Sequence, residues 1–219
     1  MVLYLPSDIL PPMKITAILF DIGGVLVRTV DRGPRQALAE RLGMSAAELE
    51  TLVFGGESGQ RAQLGQIDEA AQWAYACRQA GWPLERVAEF RAQFFGGDEL
   101  DAELLAYIGR LHRDYKTGII SNAMNGTRAL IESAWAMTPL FDAIVLSGEA
   151  GVMKPDPRIY QLALVRLEVQ PEQAVFIDDF QHNIDGAQAV GMHGIRFRSP
   201  EQVIAELEAL LDGGGVQVV

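Results

Sequence analysis

The sequence has a single cysteine, three histidines and only 18 lysines and arginines among 219 residues, against 29 aspartates and glutamates. One cysteine cannot build a disulfide framework. Cys77 sits in the amphipathic run Ala70, Trp73, Ala74, Cys77, where it reads as core filling in a reducing compartment. His112, His182 and His193 lack any metal-ligand spacing and read as surface or helix-end residues. A formal charge of −11 makes nucleic acid and anionic membrane surfaces poor partners, because both are bound by neutralising phosphates with Lys and Arg. No apolar run is long enough to span a bilayer, and residues 1–12, broken by Pro6 and Asp8 and without a basic leader, are expected to form a loose arm rather than a signal peptide. The expected location is the cytoplasm.

What is present is a globular composition. About half of the residues are apolar, at 49%, enough for one domain with an insertion or for two small domains. The apolar run Ile15 to Phe20 is short, partly β-branched and unbroken, as a buried strand requires, and it ends abruptly in Asp21-Ile22-Gly23-Gly24. A carboxylate followed by paired glycines lets the backbone approach something closely, which an ordinary strand exit does not need.

Val25 to Asp31 is expected to be a short mobile connection. From Pro34 the pattern turns helical, with stretches from Pro34 to Leu42, from Ser45 (a capping box with Glu48) to Leu52, from Ile67 to Ala80, from Pro83 to Phe95 and from Asp98 to Tyr115. The glycine-rich piece Phe54 to Gly59 reads as a flexible loop; it is not placed between a strand and a helix, so it is no dinucleotide loop. Roughly eighty residues of helix therefore follow the first strand, too many for a simple crossover.

From Thr117 short apolar strands (Thr117 to Ile120, Ala143 to Leu146, Ala174 to Ile177, Gly194 to Phe197) alternate with helices (Gly126 to Ala136, Pro157 to Leu167, Ile184 to Val190), and a last helix runs from Pro200 to Leu211. This predicts an α/β fold: a three-layer, Rossmann-like parallel sheet with an inserted all-helical cap. The expected division is an arm at 1–12, a core at 13–27 and 111–219, and a cap at 28–110.

In such a sheet, ligands bind at the carboxyl ends of the strands, so Asp21, Ser121 with Asn122, Ser147, and Asp178 with Asp179 are expected to be neighbours. Ser147 alone reads as an ordinary strand end. Asp178-Asp179 beside Asp21 would repel one another in a desolvated cleft and need a counter-ion. An all-oxygen site of this kind suits Mg²⁺, with Lys154, held between Met153 and Pro155, as a second positive charge.

Phe20-Asp21-Ile22-Gly23-Gly24-Val25-Leu26, Ile120-Ser121-Asn122, Lys154-Pro155 and Phe176-Ile177-Asp178-Asp179, in this order and spacing, resemble the four motifs of the haloacid dehalogenase superfamily. The resemblance covers about residues 14 to 200, helical cap included. It implies a Mg²⁺-dependent phosphatase of a small phosphorylated metabolite. Asp21 would be the nucleophile, forming an aspartyl-phosphate. Ser121, the backbone near Asn122, and Lys154 would bind the phosphate, with Lys154 also stabilising the nucleophile. Asp21, the carbonyl of Gly23, and Asp179 with Asp178 close behind would hold the metal, and Asn183 would support the lysine side of the site.

One position departs from the pattern. Phosphatases of the superfamily carry an aspartate acid two residues after the nucleophile, and here that residue is Gly23. General acid catalysis is worth about 10²–10⁴-fold. The gap leaves several readings: a substrate with a good leaving group, a cap residue such as Glu57, Arg61 or Asp68 supplying the proton, a phosphate-binding or interaction protein without turnover, or a 2-haloacid dehalogenase, against which the Asp178-Asp179 pair argues.

Overall fold

The structure, a computed structural model, describes residues 14–213. The expected arm at 1–12 and the last residues of the tail, 214–219, lie outside the described residues. The chain forms β1 (Ala17–Phe20), β2 (Val27–Thr29), α1 (Gly33–Arg41), α2 (Ala46–Phe54), α3 (Gly56–Gln63), α4 (Glu69–Gln79), α5 (Val87–Phe94), β3 (Asp98–Leu100) and α6 (Ala102–Leu111). There follow β4 (Lys116–Ser121), α7 (Thr127–Ala129, prolonged by a π-helical turn), β5 (Ala143–Leu146), α8 (Ser147–Ala150), α9 (Pro157–Leu167), β6 (Ala174–Asp178), α10 (Gln181–Ala189), β7 (His193–Arg196) and α11 (Pro200–Leu211).

Five strands form one parallel sheet in the order β5-β4-β1-β6-β7. β1, β5 and β6 are buried along their whole length and β4 beyond its first residue, because helices cover both faces, whereas the edge strand β7 buries only Ile195. Alternation along β1 divides its side chains: Ile18 and Phe20 join the cluster under α6 and α11, while Ala17 and Leu19 join the one under α9 and α10. β1 lies at the centre, hydrogen-bonded to β4 on one side and β6 on the other, with Phe20 opposite Ile119 and Ile177. The chain crosses from one side of β1 to the other between β5 and β6, which opens a crevice above the ends of β1, β4 and β6.

A third buried cluster contains Leu38, Leu49, Val53, Trp73, Cys77, Phe90 and Phe94 from α1, α2, α4 and α5. Trp73 packs edge-on to Phe94 and Phe95, with ring centroids 5.6 and 5.5 Å away. Cys77 is buried and free there, as core filling requires. Met124, from the loop after β4, also enters this cluster. By contrast α6, which runs past the expected cap boundary at residue 110, turns Leu104, Tyr107 and Ile108 onto the sheet.

The chain departs from the expected pattern in three places. Phe54 to Gly59 is not a loop: α2 runs through Phe54, α3 begins at Gly56, and only Gly55 interrupts them. Buried glutamines make the tight corner possible, since Gln63 Nε2 donates to the Phe54 carbonyl at 2.7 Å and Gln72 Nε2 to the Val53 carbonyl at 2.8 Å, satisfying groups that a helix end leaves open. Asp98 to Tyr115 is not one helix, because Asp98–Leu100 pairs antiparallel with Val27–Thr29 and Asp101 then caps α6 through the Leu104 N–H at 2.9 Å. The expected mobile connection Val25 to Asp31 accordingly holds β2. Strands of three residues are too short to display a period.

Candidate active site

The sheet brings the strand ends together. Asp21 directly follows β1, and its N–H still donates to the Ile177 carbonyl of β6 at 2.9 Å. Ser121 ends β4 and Asp178 ends β6. Carboxylate oxygens of Asp21, Asp178 and Asp179 lie within 4.8 Å of one another, the grouping of possible metal ligands found among the described residues.

Lys154 is driven into the middle of this charge. It is 2% exposed, and its Nζ lies 2.9 Å from Asp21 Oδ1 and 2.6 Å from Asp178 Oδ2. A buried ammonium is tolerated because both carboxylates face it. Its backbone is clamped as well: Asn122 Oδ1 accepts the Lys154 N–H at 2.7 Å, and Asn122 Nδ2 donates to the Lys154 carbonyl at 3.0 Å. The Asn122 side chain therefore positions the lysine.

Asp178 is fully buried and saturated. Besides Lys154 it accepts Asn183 Nδ2 at 3.0 Å on each oxygen and the Phe180 N–H at 2.8 Å. Asn183 acts on the lysine side of the site through Asp178, and it is itself held by the Tyr160 hydroxyl, which donates to its carbonyl at 2.8 Å. Nothing in the local sequence marks Tyr160, which sits among the apolar residues of α9.

Asp179 differs from its neighbour. Its Oδ1 is buried with no hydrogen-bond partner. It also lies so close to Gly24 that a Cβ there would stand 2.4 Å from Asp179 Oδ2, and Gly24 has a φ of +77° besides. Only glycine fits both demands. Burial raises the Asp21 carboxyl to about 7 against the pull of Lys154, with Asp178 adding to the rise. Burial and then Asp178 raise Asp179 to about 6. Buried, crowded carboxylates with an unpartnered oxygen form the donor set of a hard divalent cation, so the residues fit a metal of the Mg²⁺ type.

Gly23 carries no crowding: a Cβ built on it meets no heavy atom within 4 Å beyond its chain neighbours. Glu57 and Arg61 are exposed, and Asp68 caps α4 by accepting the Ala70 N–H at 2.7 Å. The histidines stand outside the acidic cluster, with His112 Nδ1 2.8 Å from Thr117 Oγ1. Trp73 and Trp82 pack with the helical cluster and Trp135 against the sheet cluster. Ser147, expected to be a mere strand end, is buried and hydrogen-bonded to the helical segment through the Gln63 carbonyl.

Comparison with known proteins agrees with this fold. Residues 15–191 match the haloacid dehalogenase-like hydrolase family. The chain belongs to this family. It is 26% identical to Phosphatase MT3486 of Mycobacterium tuberculosis (strain CDC 1551 / Oshkosh), over 93% of this chain and 100% of that protein. It is 49% identical over 71 residues to acyl-CoA dehydrogenase family member 10 of Mus musculus and 26% identical over 228 residues to bifunctional epoxide hydrolase 2 of Sus scrofa, but these matches span only 7% and 40% of those longer proteins. A HAD-like family hydrolase of Porphyromonas gingivalis superimposes with a TM-score of 0.74 at 25% identity, covering 91% of this chain and 98% of that one. A HAD family enzyme of Bacteroides thetaiotaomicron, solved with magnesium and inorganic phosphate, shares the fold with a TM-score of 0.71 at 20% identity, over 84% of this chain and 94% of that one. Among the described residues no helix is long and apolar enough to cross a membrane.

Proposed function

We propose that this hydrolase is a Mg²⁺-dependent phosphatase of a small phosphorylated metabolite, working through an aspartyl-phosphate on Asp21. The observation that carries the reading is Lys154 Nζ set between Asp21 and Asp178, beside an Asp179 oxygen that has no protein partner. A divalent cation and a phosphoryl group would together complete such a set. Asp21, Asp179 and the Gly23 carbonyl would hold the cation, with Asp178 in support. When bound, it would offset the charge that three carboxylates and the phosphoryl oxygens bring together.

Asp21 attacks phosphorus. The bond to the leaving oxygen breaks, and water then attacks the aspartyl-phosphate, releasing orthophosphate and the free carboxylate. Lys154 orients Asp21 and meets the charge that develops on the transferring group. Ser121 stands at the adjoining strand end to receive a phosphoryl oxygen. No side chain begins at Gly23 to protonate the departing oxygen, so the reading favours substrates whose leaving groups depart unaided: acyl, anomeric or aryl phosphates. Phosphatase MT3486 and the sesquiterpene phosphatase astK of Aspergillus oryzae, 24% identical over 89% of this chain, support the class.

The test is a panel of phosphomonoesters and acyl phosphates with and without Mg²⁺. Expected is metal-dependent phosphate release that Asp21→Asn lowers by at least about 10³-fold. No turnover on any member, with Asp21→Asn indistinguishable from wild type, would leave a phosphate-binding protein. Halide release from 2-haloacids without added metal would replace the reading with a dehalogenase.

A further inference from the structure

The phosphoryl-transfer reading leaves unused a buried hydroxyl that touches both parts of the molecule. Ser147 is 0% exposed; its Oγ accepts the Ala123 N–H at 2.9 Å and donates to the Gln63 carbonyl at 2.6 Å. Ala123 lies two residues beyond Ser121, in the loop whose Asn122 clamps Lys154. Gln63 is the last residue of α3, in the helical segment.

The contact is built for close approach. The Gly148 N–H donates to the Ala123 carbonyl at 3.0 Å, and a Cβ on Gly65 would stand 2.0 Å from the Gly148 carbonyl oxygen. Three backbone segments, 63–65, 122–124 and 147–148, thus meet, and the Ser147 hydroxyl joins the first two. Met124 of the same loop is buried in the helical cluster, so the loop is held from both sides. Without the hydroxyl, a part-buried N–H and a buried carbonyl lose a partner together, one in each part of the molecule.

We propose that Ser147 is a positioning residue whose hydroxyl couples docking of the helical segment to the placement of the Ser121–Ala123 loop. Resting on the phosphatase reading, that loop is where phosphoryl oxygens are received, so docking of the helices sets phosphate affinity. Amide hydrogen exchange tests the coupling without any substrate. In Ser147→Ala, exchange at Ala123 and at Leu64 to Gln66 should rise together by roughly tenfold, with the amides of β1 and β6 unchanged. Gly65→Ala, which pushes from the helical side and leaves the hydroxyl in place, should also accelerate Ala123. In turnover, Ser147→Ala should raise KM by roughly tenfold with a smaller change in kcat, and Ser147→Thr, which keeps the hydroxyl, should restore KM.

Loosening at Ala123 alone in Ser147→Ala, or an unchanged Ala123 in Gly65→Ala, would overturn the coupling. Isothermal titration of wild type with Mg²⁺ and inorganic phosphate separates the two ideas. A wild type that binds neither and turns over nothing overturns the phosphatase reading, while the exchange data still decide the coupling.

Discussion

At position 23 there is room for a side chain, and at position 24 there is none. A Cβ on Gly23 meets no heavy atom within 4 Å, whereas one on Gly24 would overlap Asp179. The two glycines therefore have different physical reasons. Gly24 makes space for a carboxylate; Gly23 leaves out an acid that the backbone would accommodate. Gly23→Asp is expected to fold normally and to raise kcat/KM on alkyl phosphates by about 10²–10⁴-fold, with little gain on aryl phosphates, whose leaving groups need no proton. Equal gains on both classes would show that proton transfer is not what position 23 lacks. The sequence showed the missing acid; the structure adds that, among the described residues, no heavy atom beyond the chain neighbours stands within 4 Å of a Cβ at that position. Asp178 and Asp179 illustrate the same limit, since adjacent identical residues become a saturated strut and an acid with an unpartnered oxygen only through their surroundings.

Secondary-structure elements were legible where they were long. The apolar runs of β1, β4, β5, β6 and β7 and the amphipathic α9 and α11 stand at or within two residues of their expected limits, because burial on both faces or on one stripe imposes a pattern over many residues. In the helical segment α1, α2 and α4 were equally legible, and legibility failed only at its corner and at its flanking strands. The α2–α3 corner is held by Gln63 and Gln72, and β2 pairs with β3 from about seventy residues away. Packing there centres on Trp73, 2% exposed and in contact with several aromatic rings. Trp73→Ala should cost about 3–5 kcal/mol in this segment. Urea unfolding followed by fluorescence and by exchange at α4 and α5 checks it, and an unchanged midpoint would contradict the packing.

For the molecule as a whole, the acidic site is expected to link stability to pH and, on the proposed reading, to metal. After chelation, Asp21 and Asp179 titrate in the folded protein near 7 and 6, above their ordinary 3.8, first because burial disfavours their charged forms. With the folded value above the unfolded one, their contribution is fully present below about pH 4 and is lost as pH rises through 6 to 7. The chelated protein should accordingly melt lower at pH 8 than at pH 5.5. Mg²⁺ should restore the melting temperature mainly at pH 8, since binding to the folded state alone stabilises it. Carboxylates lowered by their partners, such as Glu48 and Glu149, exert the opposite slope only below this window. Thermal melts at the two pH values, with and without Mg²⁺, read the sign directly; a melting temperature indifferent to both would remove the metal from the site.

The sequence by itself determined the parallel α/β core, the family motifs and the residues at the strand ends, because strand periodicity, turn chemistry and the order of Asp21, Ser121, Lys154 and Asp178-Asp179 are local properties of the chain. Tertiary structure alone decided which oxygen stays unpartnered, that Asn122 grips the Lys154 backbone, that Tyr160 braces Asn183, and that Ser147 joins the helical segment to the loop after β4. The hydrogen bonds among these join residues 23 to 84 positions apart, and partners at that distance leave no periodic trace in the chain.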